Sequence, residues 1–355
     1  MGLTRVLVTG GGGFIGSHLA EFYANQNDID EITVIDNLSR SILLNKEIKS
    51  LRYNWDYLHK YKNIKFIEKD ITDFEFLKKL LDVNSFDYIF HTAAQTAVTT
   101  SIIKPIPDFR NNVIGTFNLL ESIRLSKQDP CVVLCSTNKV FGNNVNNCEI
   151  IENESRYSFT EDNRYGISEE FPIDLCEHTP YGTSKLCSDL YFQEYGHLYG
   201  MKTAVFRMSC IYGTRQFGIE DQGWIAHFII SAILGKQITI YGDGKQIRDI
   251  LHVSDLIQAF NSFAQKAKSI KHEVFCMGGG SENTLSLLEL IEILKQELKM
   301  NISYDFGEWR SSDQKVYISD IRKAKRILDW SPKMSVNEGI KELINWVKFN
   351  KKLFS

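Results

Sequence analysis

Proline is scarce in this chain, with six residues in 355. That excludes a proline-rich linker or an extended polyproline segment. No stretch approaches the about 18 consecutive apolar residues of a membrane-spanning helix. The opening residues MGLTRVLVTGGGG lack the apolar run of a secretory leader and go straight into a strand-like segment. Their MG start marks no lipid anchor, since a first core strand explains it. Neither sign of charge is in excess: 41 Lys and Arg face 44 Asp and Glu, for a net charge of −3. The basic residues are spread along the chain, so neither a nucleic acid nor a membrane surface is expected as a partner. The seven cysteines form no CxxC pair and no metal-ligand spacing, so no metal site is expected. Reduced, mostly buried thiols and a cytoplasmic location are the expectation.

Core-forming patterns are what the sequence does contain. Hydrophobic residues make up 43% and charged residues 24%, an ordinary globular balance. A chain of this length buries a substantial core without covalent staples. The runs RVLVT (5–9), EITVID (31–36), IKFIE (64–68), FDYIFH (86–91), CVVLCS (131–136) and TAVFRM (203–208) are short and continuously apolar. That is how parallel strands covered on both faces read. Helical patterns lie between them, in FIGSHLAEFYANQ, FEFLKKLLD, NNVIGTFNLLESIRL and SKLCSDLYFQEYGHLYG. Strand–helix alternation predicts an α/β doubly wound sheet. After residue 208 the pattern loosens into Gly-, Gln- and Asp-rich loops. Helices are expected there at 224–235, 254–268, 285–298 and 335–349, with short strands at 238–241, 273–277 and 302–306. We place a dinucleotide-binding domain over 1–208 and a smaller α/β substrate-binding region over 209–355. The second is not expected to fold alone.

TGGGGFIGSHL (9–19) follows the first strand and opens the first helix. Its spacing Gly10-x-x-Gly13-x-x-Gly16 carries the mechanics of a Rossmann-type loop. Gly10 allows the tight turn, Gly13 lets the backbone approach a pyrophosphate, and Gly16 permits close helix–strand contact. Asp36 ends the second strand, where a carboxylate accepts both adenosine ribose hydroxyls and repels a 2′-phosphate. NAD is therefore favoured over NADP, with Arg40 as the opposing feature. Asp70 and Ile71, just past the third strand, are candidates for the adenine edge. A helix cap in DITD is the alternative role for Asp70.

Tyr181 and Lys185 stand at i and i+4 in PYGTSK, on one face of an expected helix whose entrance is Pro180. A tyrosine is a weak base at its free pKa of about 10, and an adjacent ammonium, with the positive nicotinamide ring nearby, favours the phenolate. Such a phenolate can take the proton of a sugar hydroxyl while hydride leaves the same carbon. Thr137, at the end of CVVLCST, is placed to hydrogen-bond the reacting oxygen.

The motifs TGGGGFIGS, VIDNLSR, HTAAQ, NNVIGTFNLLE, STNKVFG, YGTSK, GDGKQIRDILHVSD and WSP together resemble the extended short-chain dehydrogenase/reductases that act on nucleotide-sugars. The resemblance spans nearly the whole chain. It implies Thr137, Tyr181 and Lys185 as catalytic residues. It also implies an NAD site formed by Gly10, Gly13, Phe14, Ile15, Gly16, Asp36, Asn37, Ser39, Arg40, Asp70, Ile71, Ala93 and Ala94, with Tyr181 and Lys185. Arg248 and Arg310 match positions that contact the substrate phosphates, which suits a bidentate guanidinium. A homodimer or homotetramer is implied, through helices near 110–125 and 182–199.

The dehydratases of this family carry an Asp-Glu pair after the catalytic threonine, and this chain has Asn138 and Lys139. An amide and an ammonium cannot supply that acid–base pair, so epimerisation is favoured over dehydration. The stretches STNKVFG, NESRYSF, RQFGIEDQGW and SDQKVYISDI are similar to the 2-epimerases of CDP-linked sugars. A 4-epimerase of a UDP- or CDP-hexose is the alternative, although Cys210 stands where those enzymes carry asparagine. Asn138, Arg215, Gln216 and Gln222 are further candidate substrate contacts, and Lys139 has no assigned task.

Overall fold

Apolar β-branched residues dominate the strands of the main sheet, and they are buried on both faces. The computed structural model describes residues 4–40, 52–310 and 313–354. Strands β1 (Arg5–Thr9), β2 (Glu31–Asp36), β3 (Ile64–Glu68), β4 (Tyr88–His91), β5 (Cys131–Thr137), β6 (Lys202–Met208) and β7 (Glu273–Met277) form one sheet. Its order is β7-β6-β5-β4-β1-β2-β3. The pairings from β5 through β4, β1 and β2 to β3 are parallel. Strand β5 is buried at every position. Strand order reverses beside β1, which opens a crevice at the carboxyl ends of β1 and β4.

Helices α1 (Phe14–Ala24), α2 (Phe74–Val83), α3 (Pro105–Phe109), α4 (Gly115–Ser126), α5 (Pro180–Tyr199) and α6 (Val253–Ile270) accompany this sheet. Pro180 opens α5, and the Thr179 hydroxyl caps it by accepting from Gly182 N at 3.2 Å. Leu77, Leu120, Ile123, Leu134, Phe192 and Val205 belong to one apolar cluster between sheet and helices. The chain divides into two compact units that interleave along the sequence. The first comprises Met1–Val140, Thr179–Arg207 and Ile257–Phe275, and the second Phe141–His178, Met208–Leu256 and Cys276–Ser355.

Two expectations need correction. The strand at 273–277 was grouped with the C-terminal region, but it is the edge of the main sheet. Phe275 packs against Phe206 at 5.3 Å and against Phe263 of α6 at 6.3 Å. A short apolar strand does not announce its sheet; its packing partners select it. The thiols are free, but only Cys131, Cys135 and Cys276 are buried, while the other four are half-buried.

In the second unit, helices Trp224–Leu234, Leu287–Leu298 and Val336–Phe349 enclose Tyr212, Ile238, Ile240 and Ile250. Capping boxes at Ser286–Glu289 and Ser335–Glu338 start the last two of these helices. The strand Ile247–His252 pairs with Cys210–Tyr212, Thr284–Ser286 and Val316–Tyr317.

Among the ion pairs of the described residues in the first unit, Arg207–Asp189 is buried on both sides. Arg207 of β6 donates to Asp189 of α5 through Nε at 2.9 Å, and the two side chains are 5% and 0% exposed. Ser136 Oγ donates to the same carboxylate at 3.2 Å. Arg207→Met leaves that carboxylate buried and uncompensated. The expected loss of stability is about 3–5 kcal/mol, read as a lower urea midpoint.

Candidate active site

The chain turns sharply at the end of β1. Gly10 has φ +74°, and a Cβ there would meet Ala93 N at 2.6 Å. A Cβ on Gly16 would fall 2.2 Å from Gly10 O. These two glycines let strand, loop and helix touch. Gly13 differs: a Cβ there would meet only Gly10 O, at 3.1 Å, so its other side is open. Gly13 is also the N-cap of α1 and brings no side-chain acceptor, and the first turn holds no acidic residue. That end of the helix is left to an anionic group such as a pyrophosphate. Phe14 and Ile15 follow, both half-buried.

Asp36 stands beside the loop. One carboxylate oxygen accepts from Gly12 N at 2.9 Å and the other from Leu38 N at 2.8 Å. Each oxygen keeps a lone pair for a diol, while burial raises the carboxyl pKa. Arg40 is half-buried, and burial lowers its guanidinium to about 10. Asn37 donates to Asp70 at 2.8 Å, and Ser39 Oγ donates back to Asn37 Oδ1 at 2.7 Å. Asp70 is not the helix cap; Asp73 caps α2 by accepting from Phe76 N at 3.0 Å. Ile71 turns its side chain into the core against Gly115 of α4, and its carbonyl accepts from Asn118 Nδ2 at 3.4 Å. Ala93 and Ala94 follow β4, with Ala93 packed on Gly10.

Thr137, Tyr181 and Lys185 come together in the first unit. Thr137 is 7% exposed and hydrogen-bonds the Tyr181 phenol. It also donates to Asn138 Oδ1 at 3.3 Å and accepts from Lys139 N at 3.3 Å. Lys139 is half-buried. Tyr181 is pushed up to about 12, by burial first, against the Thr137 hydrogen bond and with the charges of Asp108 and Cys135. Lys185 is 3% exposed and is pulled down to about 8 by burial. In the protein alone Tyr181 is therefore a neutral phenol. Burial opposes the phenolate that the lysine and a positive nicotinamide ring together are expected to favour.

The remaining candidates lie in the second unit. Arg215 is buried with φ +61°. Gln216 Nε2 donates to Ile211 O at 3.0 Å, and Gln222 closes a tight hairpin with Ile219 through backbone bonds of 2.9 Å. Arg248 is buried and donates to Asp313 at 2.5 Å. Arg310 lies 3.3 Å from Asp221 and 4.0 Å over the Tyr241 ring. Both arginines thus hold carboxylate partners in this structure. Beside them in sequence, Gly242, Asp243, Phe306, Gly307, Glu308 and Trp309 line a groove of about 370 Å³.

The family model described as GDP-mannose 4,6 dehydratase matches residues 7–343. The chain belongs to this family of nucleotide-sugar epimerases and dehydratases. It is 38% identical to CDP-paratose 2-epimerase of Salmonella typhi over 96% of this chain and 98% of that protein. It is 31% identical to a putative UDP-glucose 4-epimerase of Methanocaldococcus jannaschii over 97% of this chain and 99% of that protein. Among solved structures, UDP-glucuronic acid 4-epimerase from Bacillus cereus in complex with UDP-glucuronic acid and NAD superposes with a TM-score of 0.79. It is 28% identical and covers 98% of this chain and 100% of that one.

Within this family member, a layer of polar residues behind Tyr181 and Lys185 was not singled out from sequence. The helix expected across 111–125 begins as a π-turn, Arg110–Ile114. A π-turn frees a carbonyl from the helical ladder. Asn112 O, within this turn, accepts from Ser188 Oγ at 2.7 Å and from Thr116 Oγ1 at 2.5 Å. Asn112 Nδ2 donates to Ser184 Oγ at 2.9 Å, and Ser184 Oγ donates to Tyr181 O at 3.1 Å. Ser101 Oγ accepts from Tyr181 N at 3.0 Å. The available signal was a polar row at 108, 112 and 116, a helical spacing inside an otherwise apolar stretch.

His91 completes this layer between Thr9 Oγ1 at 2.7 Å and Thr116 Oγ1 at 2.9 Å. Burial, with the nearby Lys185 charge, lowers it from 6.5 to about 3. Below its free pKa the unfolded chain takes up a proton that the native ring refuses, so stability falls as pH drops through that window. His91→Gln removes this contribution of up to about 1.4 kcal/mol per pH unit. Its stability should therefore fall less steeply from pH ~6.5 to pH ~4, in a series of urea midpoints.

Proposed function

We propose that this protein is an NAD-dependent nucleotide-sugar epimerase that inverts C2 of CDP-paratose or a related CDP-hexose. The observation that carries this reading is the Thr137–Tyr181–Lys185 cluster at the end of β5, followed by Asn138 and Lys139 instead of carboxylates. The 38% identity to CDP-paratose 2-epimerase over 96% of the chain supports the sugar and the carbon. The Gly10–Gly16 loop and the Asp36 carboxylate fit NAD, which when bound accepts a hydride from the sugar and returns it. Elimination of water needs an added acid and base, which an amide and an ammonium do not provide. Hydride removal and return at one carbon needs neither. Paratose has no 3-hydroxyl, and a 4-ketone acidifies C3 and C5 but not C2, so inversion at C2 calls for oxidation at C2 itself.

Thr137 hydrogen-bonds the C2 oxygen, and Tyr181, ionised as the phenolate, takes its proton. Burial pushes Tyr181 up to about 12, and the Lys185 ammonium together with the positive nicotinamide ring of bound NAD would favour the phenolate against it. Tyr181 then returns the proton after the keto sugar has presented its other face. Arg248 and Arg310 exchange Asp313 and Asp221 for the diphosphate, and Asn138, Arg215, Gln216 and Gln222 contact the substrate. The protein acts as a homo-oligomer through α4 and α5, where Phe117, Leu190, Tyr191 and Leu198 are exposed. Phe117 and Tyr191 pack edge to face at 5.5 Å and form the centre of that face.

Proton NMR of products from CDP-paratose, CDP-glucose and UDP-glucose tests the reaction. Inversion at C2 of CDP-paratose is expected, and inversion at C4 alone replaces this reading with a 4-epimerase. Tyr181→Phe is expected to lower turnover about 10²–10⁴-fold with NAD still bound, and substantial residual turnover overturns the assignment. Phe117→Glu combined with Tyr191→Glu should shift the mass in light scattering to the 40.8 kDa of one chain.

A further inference from the structure

Tyr181 lies in the first turn of α5, and an α-helix opens with N–H groups that have no partner inside it. The three positions of this first turn are accounted for in three ways. Pro180 has no N–H to satisfy. Gly182 N donates to the Thr179 hydroxyl at 3.2 Å, and Thr183 N then starts the helical ladder by donating to Thr179 O at 2.9 Å. Tyr181 N is the donor that the helix and its cap do not serve. It donates to Ser101 Oγ at 3.0 Å, an acceptor 80 residues away in sequence.

Ser101 is fixed in that role. It is 0% exposed, in the short helix Val98–Ile103. Its hydroxyl proton goes to Val98 O at 2.7 Å, which leaves the oxygen lone pairs for Tyr181 N. The segment leading to it is held in turn. Ser101 N donates to Ala97 O at 3.1 Å, and Gln95 Nε2 donates to the same carbonyl at 2.9 Å. Ala97 N donates to Gln95 Oε1, and Gln95 N donates to Asn112 Oδ1 at 2.8 Å. Asn112 also reaches the other side of the tyrosine, through Ser184 Oγ to Tyr181 O. The main chain of Tyr181 is therefore gripped at its N–H and at its carbonyl, while Thr137 hydrogen-bonds its phenol. A displacement of about 1 Å in a reacting group costs on the order of 10²-fold in rate, so a grip of this kind has kinetic weight.

We propose that Ser101 is a positioning residue for Tyr181: from outside α5 its hydroxyl fixes the main chain of the tyrosine and so sets where the phenolic oxygen meets the substrate. Its effect on turnover rests on the function proposed above for Tyr181.

Ser101→Ala removes the acceptor and leaves the Tyr181 N–H without one. In the folded full-length protein with NAD bound, kcat on CDP-paratose is expected to fall about 10-fold or more while KM changes less than about twofold. Added to Tyr181→Phe, the same change is expected to cost less than about twofold, because Ser101 acts through the phenol. Nitrogen-15 tyrosine labelling reports the grip directly, with the Tyr181 amide assigned by its absence in Tyr181→Phe. That amide should exchange its hydrogen faster in Ser101→Ala than in the wild type. Unchanged exchange, or unchanged kcat per folded molecule, overturns the proposal. So does an equal fold-loss with and without Tyr181→Phe, which is what a merely structural residue gives. Faster exchange in Ser101→Ala with a wild type inert toward CDP-paratose upholds the grip on Tyr181 and overturns the assigned substrate instead. If thermal melting shows Ser101→Ala to be unfolded, Ser101→Cys keeps the size and replaces the oxygen by a weakly accepting sulfur, and the same outcomes decide.

Discussion

A lysine ammonium held almost out of water is the constraint around which the first unit is arranged. Lys185 lies on α5 against β4 and β5, where solvent cannot stabilise its charge. Desolvation lowers the ammonium, lifts the Tyr181 phenol and keeps His91 and Cys135 neutral. The environment thus strips charge from every neighbour that can lose it. What remains is a buried ion pair, Asp189 with Arg207. The serine, threonine and asparagine side chains behind Tyr181 hydrogen-bond one another and Asn112 O of the π-turn. A layer this tightly satisfied defines one geometry, because each displaced member leaves a buried polar atom unpaired.

The glycine loop obeys a steric rule rather than an electrostatic one. Strand β1, the loop and α1 approach so closely that a single methyl group at Gly10 or Gly16 would overlap backbone atoms. That proximity places an uncapped helix end at the crevice where the sheet order reverses. The parallel strands deliver Thr9, Asp36, His91 and Thr137 to the same edge of the sheet, because all run the same way. Cofactor loop and chemical cluster therefore share one rim.

Much of this was legible in the chain. Continuous apolar runs marked β1 through β6 to within a residue or two, and the YxxxK spacing put Tyr181 and Lys185 on one helical face. Both signals are local, set by side-chain period and backbone geometry. The strand Glu273–Met277 was seen but placed in the wrong layer, since its partner β6 lies far away in sequence. The polar row Asp108, Asn112 and Thr116 was passed over because polar residues on a helix ordinarily face water. Here they face α5, and only the fold shows that. Asp70 illustrates the same limit: two aspartates three apart compete to cap α2, and the chain geometry selects Asp73.

The sequence by itself determined the α/β alternation, the glycine turn, the strand-end acid and the residue types available for proton transfer. It also determined the absence of carboxylates after Thr137. The tertiary structure decided the charge states. Whether a tyrosine is a phenol or a phenolate depends on how much water and how many charges surround it, and those come from β4, β5, α3 and α5 together. No spacing rule contains that sum, because desolvation is a property of the packed environment and not of the chain.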